Sequence, residues 1–197
     1  MMHSHVQWRV FVLVVVLGTL PFASPLRAEP PQSAFGFNGT VSGFPTGEVF
    51  VSGGGAYGLA TDFVHSAGGF SCLQDVLQGP LSVSINPDDP GPCLADEGVR
   101  WDTAELLAST TFKCTGAGAE SLKTATTSNT TVVLQGDFYR ASDGIDESFT
   151  AQMIVSATDI APDIPGLQTL WVQGVGCGSA IVHFSNRSGP TNVGARR

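Results

Sequence analysis

Phe149-Thr150-Ala151-Gln152-Met153-Ile154-Val155 is the stretch that decides the fold class. Phe149, Ala151, Met153 and Val155 recur at every second position, with Thr150 and Gln152 on the wet side. A period of two belongs to a strand with one face buried. Just upstream, Val132, Leu134 and Phe138 face one way while Thr131, Gln135 and Asp137 face the other. The two runs therefore read as strands joined across the acidic turn Asp143-Gly144-Ile145-Asp146-Glu147.

The same alternation spreads outward through the chain. It covers Phe37, Gly39 and Val41, then residues 47–52 after the turn Phe44-Pro45-Thr46-Gly47. It returns with Leu59, Thr61, Phe63 and His65 opposite Ala60, Asp62 and Val64, with Leu81, Val83 and Ile85, and with Phe112 and Cys114. Residues 170–175 and 180–184 supply a closing pair, with Cys177 between them. Asn86-Pro87-Asp88-Asp89-Pro90-Gly91-Pro92 must turn, because three prolines cannot donate to a ladder. Gly53-Gly54-Gly55 predicts a bulge or a close backbone approach; the frame of a phosphate-binding loop is missing and no helix follows. Asp102-Thr103-Ala104-Glu105 has the form of a capping box and predicts a single short helix over 103–108.

About nine strands with turn chemistry between them, and no crossover helices, predict an all-β fold: an antiparallel β-sandwich or a jelly-roll. An outer-membrane barrel is disfavoured by the 2 Tyr in the chain, the lack of an aromatic girdle and the final Arg196-Arg197.

Residues 1–28 have the pattern of a secretory signal. Arg9 precedes an apolar run over 10–20, which as a helix would rise about 16 Å, half of what a bilayer core requires. Pro21 and Pro25 break it, and Ala28 offers a cleavage position, with Ala23 and Ser24 as alternatives. The expected organisation is a signal over 1–28, a loose lead-in over 29–36, one β domain over 37–185 and a flexible tail over 186–197. An exported protein, periplasmic or extracellular, follows. No membrane span is expected once the signal is cut, since every later segment is polar or alternating.

Taking Arg9 and Arg27 from the 9 basic residues leaves 7 against 17 acidic ones, a net charge of −10. Such a surface repels phosphate backbones and anionic lipid, so nucleic acid is excluded as a partner. Cys72, Cys93, Cys114 and Cys177 are spaced by 21, 21 and 63 residues, which fits no zinc module. In an oxidising compartment they form two disulfides. Of three connectivities, loop length favours Cys72–Cys93 with Cys114–Cys177, each closure contributing on the order of 3–4 kcal/mol.

Candidate chemistry is sparse. Asp143, Asp146 and Glu147 offer oxygen ligands for Ca²⁺ but lack an EF-hand frame, and a hairpin turn accounts for them as well; Asp88 and Asp89 read the same way. His65 and His183 are the only histidines beyond the signal, and a β fold that joined them with Asp62, Asp102 or Glu105 would make a general-base or metal-assisted hydrolase. Ordinary strand histidines are the plainer reading. Ser179 and Cys177 sit in no nucleophile motif. Trp101, Tyr139 and Trp171 are the amphipathic aromatics available for a carbohydrate or protein ligand, against core packing as the alternative. Asn38, Asn129 and Asn186 head glycosylation sequons.

Gly98-Val99-Arg100-Trp101-Asp102-Thr103, Phe112-Lys113-Cys114-Thr115-Gly116, Asp137-Phe138-Tyr139-Arg140 and Val175-Gly176-Cys177-Gly178 together resemble a group of uncharacterised exported bacterial β-rich proteins. The resemblance covers about residues 37–184. It implies a bacterial, exported setting and carries no activity, cofactor or functional residue with it. A binding module or an envelope-associated structural module is the expected function, with the histidine-based hydrolase as its rival.

Overall fold

A computed structural model describes residues 32–42, 47–76, 93–139 and 147–187. These form β1 (Gln32–Ser42), β2 (Glu48–Gly58), β3 (Phe63–Cys72), β4 (Gly98–Leu106), β5 (Ser109–Phe112), β6 (Lys123–Thr126), β7 (Thr131–Tyr139), β8 (Glu147–Ser156), β9 (Leu170–Val172) and β10 (Gly176–Arg187). Eight of them close a barrel in the order β1-β10-β9-β8-β7-β4-β3-β2, and β5 and β6 make a separate two-stranded sheet. Each barrel strand thus lies beside the next one along the chain, with the β5–β6 hairpin as an excursion between β4 and β7.

The expected all-β, antiparallel character holds, but the architecture is a closed barrel rather than a sandwich or jelly-roll. Alternation states which face of a strand is dry and is silent about partners. Here the last strand pairs with the first along ten residues, from Gln32↔Arg187 to Val41↔Gly178, which removes the two edges a sandwich would keep. On its other side the barrel is sealed by β9 alone, three pairs to β10 and three to β8. Beyond that short seam, the Thr169 hydroxyl accepts the Ala180 N–H at 2.8 Å and donates to the Ala180 carbonyl at 3.2 Å, extending the ladder by one side chain.

The helix expected over 103–108 is absent: Thr103 to Leu106 belong to β4, which pairs with β7 through a register shift between Thr103 and Glu105. A capping box stabilises only the first turn. With Trp101 and Leu106 buried in the barrel and partners on both sides, sheet pairing outweighs it. β1 begins at Gln32, inside the expected loose lead-in, and β10 runs on to Arg187. Residues 59–62 form a turn, with Thr61 N–H donating to Gly58 O and Asp62 at φ 51°, so that alternation starts at Phe63. The signal, the strand expected at 81–85 and the Asp88-Asp89 turn lie outside the described residues.

Aromatic side chains fill the interior. One row crosses six strands: Phe37, Gly53, Gly68, Trp101, Phe138 and Phe149 are successive register partners. Trp101 is wholly buried, 6.1 Å from Phe37 and 6.5 Å from Phe138 between ring centroids. Its indole lies over the two glycines, where a Cβ on Gly53 or Gly68 would fall on the ring. The indole N–H donates to Ser52 O at 3.1 Å. The glycine run is therefore a floor for an indole, and the strand register passes through it without a bulge.

A second core lies outside the barrel wall. Val133, Ile154, Trp171 and Cys177 point outward, but Phe112 and Ala125 of the β5–β6 hairpin and Ala161 beyond β8 cover them. Elsewhere the outer rows carry Asn38, Thr40, Ser52, His65, Asp102 and Thr150, with Phe50 and Ile181 as exposed apolar exceptions, unlike the continuous apolar band of a lipid-facing barrel.

Candidate functional site

The pairing that loop length favoured is the one formed: Cys72–Cys93 and Cys114–Cys177. The second bond joins the segment after β5 to the start of β10, and it does so inside a wider clamp. Glu120 accepts from the Cys114 N–H at 2.6 Å, the Thr115 N–H at 2.8 Å and the Thr115 hydroxyl at 2.6 Å. Lys123 Nζ bridges Glu120 at 2.9 Å and Asp163 at 3.0 Å. Burial alone would raise the Glu120 carboxyl, yet its donors from Thr115, Cys114 and Lys123 hold it at about 2. Burial likewise works against the Lys123 amine, and its two carboxylate partners push it above its ordinary value. The Trp171 indole N–H donates to Lys113 O at 2.9 Å, and the Cys177 N–H to Cys114 O at 3.2 Å.

This clamp forms one wall of a half-open cleft of about 440 Å³. Thr40 and Ser42 from β1 and Gly178 and Ser179 from β10 make its floor. Cys114, Thr115 and Cys177 make one side, and residues 164–168 the other. Gly178 is needed for the floor to be this tight, since a Cβ there would meet Thr40 O. Gly166, at φ +93°, turns the 164–168 segment over the opening. Among the described residues the lining holds hydroxyls, one amide, a disulfide and aliphatic chains, with no carboxylate, imidazole or amine. Such a surface can hydrogen-bond and bury apolar groups.

Of the residues singled out from sequence, Cys114, Cys177 and Ser179 meet here and the others do not. His65 and His183 are both exposed on the outer wall, on β3 and β10. Three strand spacings separate them, about 14 Å. Asp102 is engaged by the Tyr139 hydroxyl, which donates to it at 2.5 Å. Trp101 lies in the barrel, Trp171 under the hairpin at 6 % exposure, and Tyr139 on the outer face of β7, so the three form no common ligand face. Asp143 and Asp146 and the side chain of Glu147 lie outside the described residues, and among the described residues no group of three His, Cys, Asp or Glu side chains is placed to hold a metal. Asn38, Asn129 and Asn186 are exposed.

Sequence reasoning missed Thr40, Ser42, Leu167 and Gln168. Each is unremarkable locally: closure of β1 on β10 brings Thr40 and Ser42 beside the Cys114–Cys177 bond, and the β9–β10 pairing with Thr169 N–H on Gly178 O brings Leu167 and Gln168. Fold and cleft together define a disulfide-stapled up-and-down β-barrel with a filled interior and an external cleft. Comparison with protein-family models, curated proteins and solved structures finds no match. Among the described residues no helix is long and apolar enough to cross a membrane.

Proposed function

We propose that this chain is an exported bacterial binding module, working in the periplasm or outside the cell, that engages its ligand through the cleft beside Cys114–Cys177. The observation that carries the reading is the cleft itself: a concave surface built from four separate segments, braced by a disulfide and a buried carboxylate, and lined by groups that bind rather than react. Export is supported by the leader-like residues 1–28 and by two disulfides, which persist where thiols are not kept reduced. The polar outer wall and net negative charge suit a barrel surrounded by water.

Two measurements test this. A non-reducing peptide map of protein recovered from its native compartment should show a start near residue 29 and both disulfides; a retained leader with four free thiols refutes export. A photo-cross-linking side chain placed at Leu167 in that compartment should form a discrete adduct, while one at Thr150 on the outer face of β8 should not. Adducts from neither position, or equally from both, refute the cleft.

A further inference from the structure

Resting on that reading, we propose that the cleft receives an uncharged, extended peptide segment of a partner protein, seating an aliphatic side chain against Leu167 and a backbone N–H on the Gln168 side-chain carbonyl. Gln168 carries the argument. It is 9 % exposed and lines the cleft. Its Nε2 donates to Pro165 O at 3.0 Å, which fixes the amide orientation, because the opposite one would set two acceptor oxygens together. Oε1 is then the free end, and among the described residues no donor reaches it. Gln168 lines the cleft, so this acceptor is available to a ligand N–H or O–H.

The rest of the lining narrows the donor's owner. Among the described residues no lining side chain carries a charge, so a charged ligand would lose hydration there without gaining a counter-ion from them. Leu167 is 57 % exposed beside Ile164 and Pro165, an aliphatic rim, and among the described lining residues there is no aromatic ring on which a sugar could stack. Amide donors spaced along an apolar-bearing backbone are what a peptide offers. Ser42 and Ser179, exposed on the floor, add hydroxyls that can serve a peptide carbonyl or N–H.

The test is panning of phage-displayed random heptapeptides on the mature, oxidised protein. Enrichment of uncharged sequences carrying Leu, Ile, Val or Met is expected, with binding weakened at least tenfold by Leu167→Asp and about fivefold by Gln168→Leu. Leu167 is exposed, so its variant should fold, and urea denaturation checks both. No enrichment, enrichment of charged peptides only, or equal binding to Leu167→Asp overturns the proposal. Binding of a neutral glycan on an array, lost in Leu167→Asp, overturns the peptide and leaves the binding module standing. Failure of the Leu167 cross-link overturns both.

Discussion

Replacing Gly53 by Ala should cost this barrel about 2–3 kcal/mol, although the change adds a single methyl group. The methyl would lie on the Trp101 indole, which is fully buried and wedged between Phe37 and Phe138. Overpacking of a filled core costs about 1–3 kcal/mol. Moving the indole also stretches its 3.1 Å hydrogen bond to Ser52 O, roughly another 1 kcal/mol, while the reduced backbone freedom of Ala returns about 0.5–1 kcal/mol. For a domain of this size the melting temperature should fall by about 4–12 °C. Urea denaturation followed by far-ultraviolet circular dichroism measures it. Gly36→Ala is the control, because its Cβ would meet nothing closer than Gly53 O at 3.9 Å; it should stay within about 0.5 kcal/mol of wild type. Shortening the indole should remove the larger part of the conflict and leave the 2.8 Å approach of the methyl to Ala67 O, so that Gly53→Ala costs clearly less in a Trp101→Leu background, a coupling of about 1–2 kcal/mol. Equal costs for Gly53→Ala and Gly36→Ala, or additivity with Trp101→Leu, would refute the reasoning.

Three further outcomes are expected. Glu120 titrates at about 2 in the folded chain against an ordinary 4.5, so its stabilisation is complete above pH 4.5 and is lost as pH falls toward 2; with the side chain 4 % exposed this is roughly 2–3 kcal/mol, and Glu120→Gln should flatten that acid limb in pH-dependent denaturation. Thr169→Val removes both side-chain bonds to Ala180, and hydrogen exchange at the Ala180 amide should quicken about tenfold, with a loss of about 1–2 kcal/mol. The hydrogen bond to Asp102 holds the Tyr139 phenol above its usual value of 10.0, so Asp102→Asn should bring it down in an ultraviolet titration of a chain with only 2 Tyr; an unchanged profile would remove that contact.

What was legible in the sequence follows from what alternation encodes. Phe149, Ala151, Met153 and Val155 are all buried in the barrel, as their spacing required. The cysteine pairing also followed, since the shorter loop closes locally and the other bond ties β10 back. The barrel closure was not legible, because β1 and β10 lie at opposite ends of the domain and nothing in Phe35 or Val182 names its partner. For Trp101, core packing is the alternative that holds, and the reason is geometric. Arg100 and Asp102 flank it in the strand and point the opposite way, so polar neighbours go with an inward indole. Trp171 is buried in a different way. It does point outward, and a hairpin about fifty residues earlier covers it. The cleft was invisible because its floor and walls come from four segments that share no local signal.

The order in which the cysteines occur sets a constraint on how the molecule is made. A chain delivered from its N-terminus can join Cys72 to Cys93 as soon as both emerge, but Cys114 then waits a further 63 residues for its partner. During that interval β1 also lacks its mate, since β10 follows last. The nascent protein therefore carries a bare sheet edge and a reactive thiol together, and both are extinguished by arrival of the same dozen residues. Alkylating truncated chains that stop before Cys177 should label Cys114 alone; a scrambled bond from Cys114 to Cys72 or Cys93 would instead mark this wait as the step at which an isomerase acts.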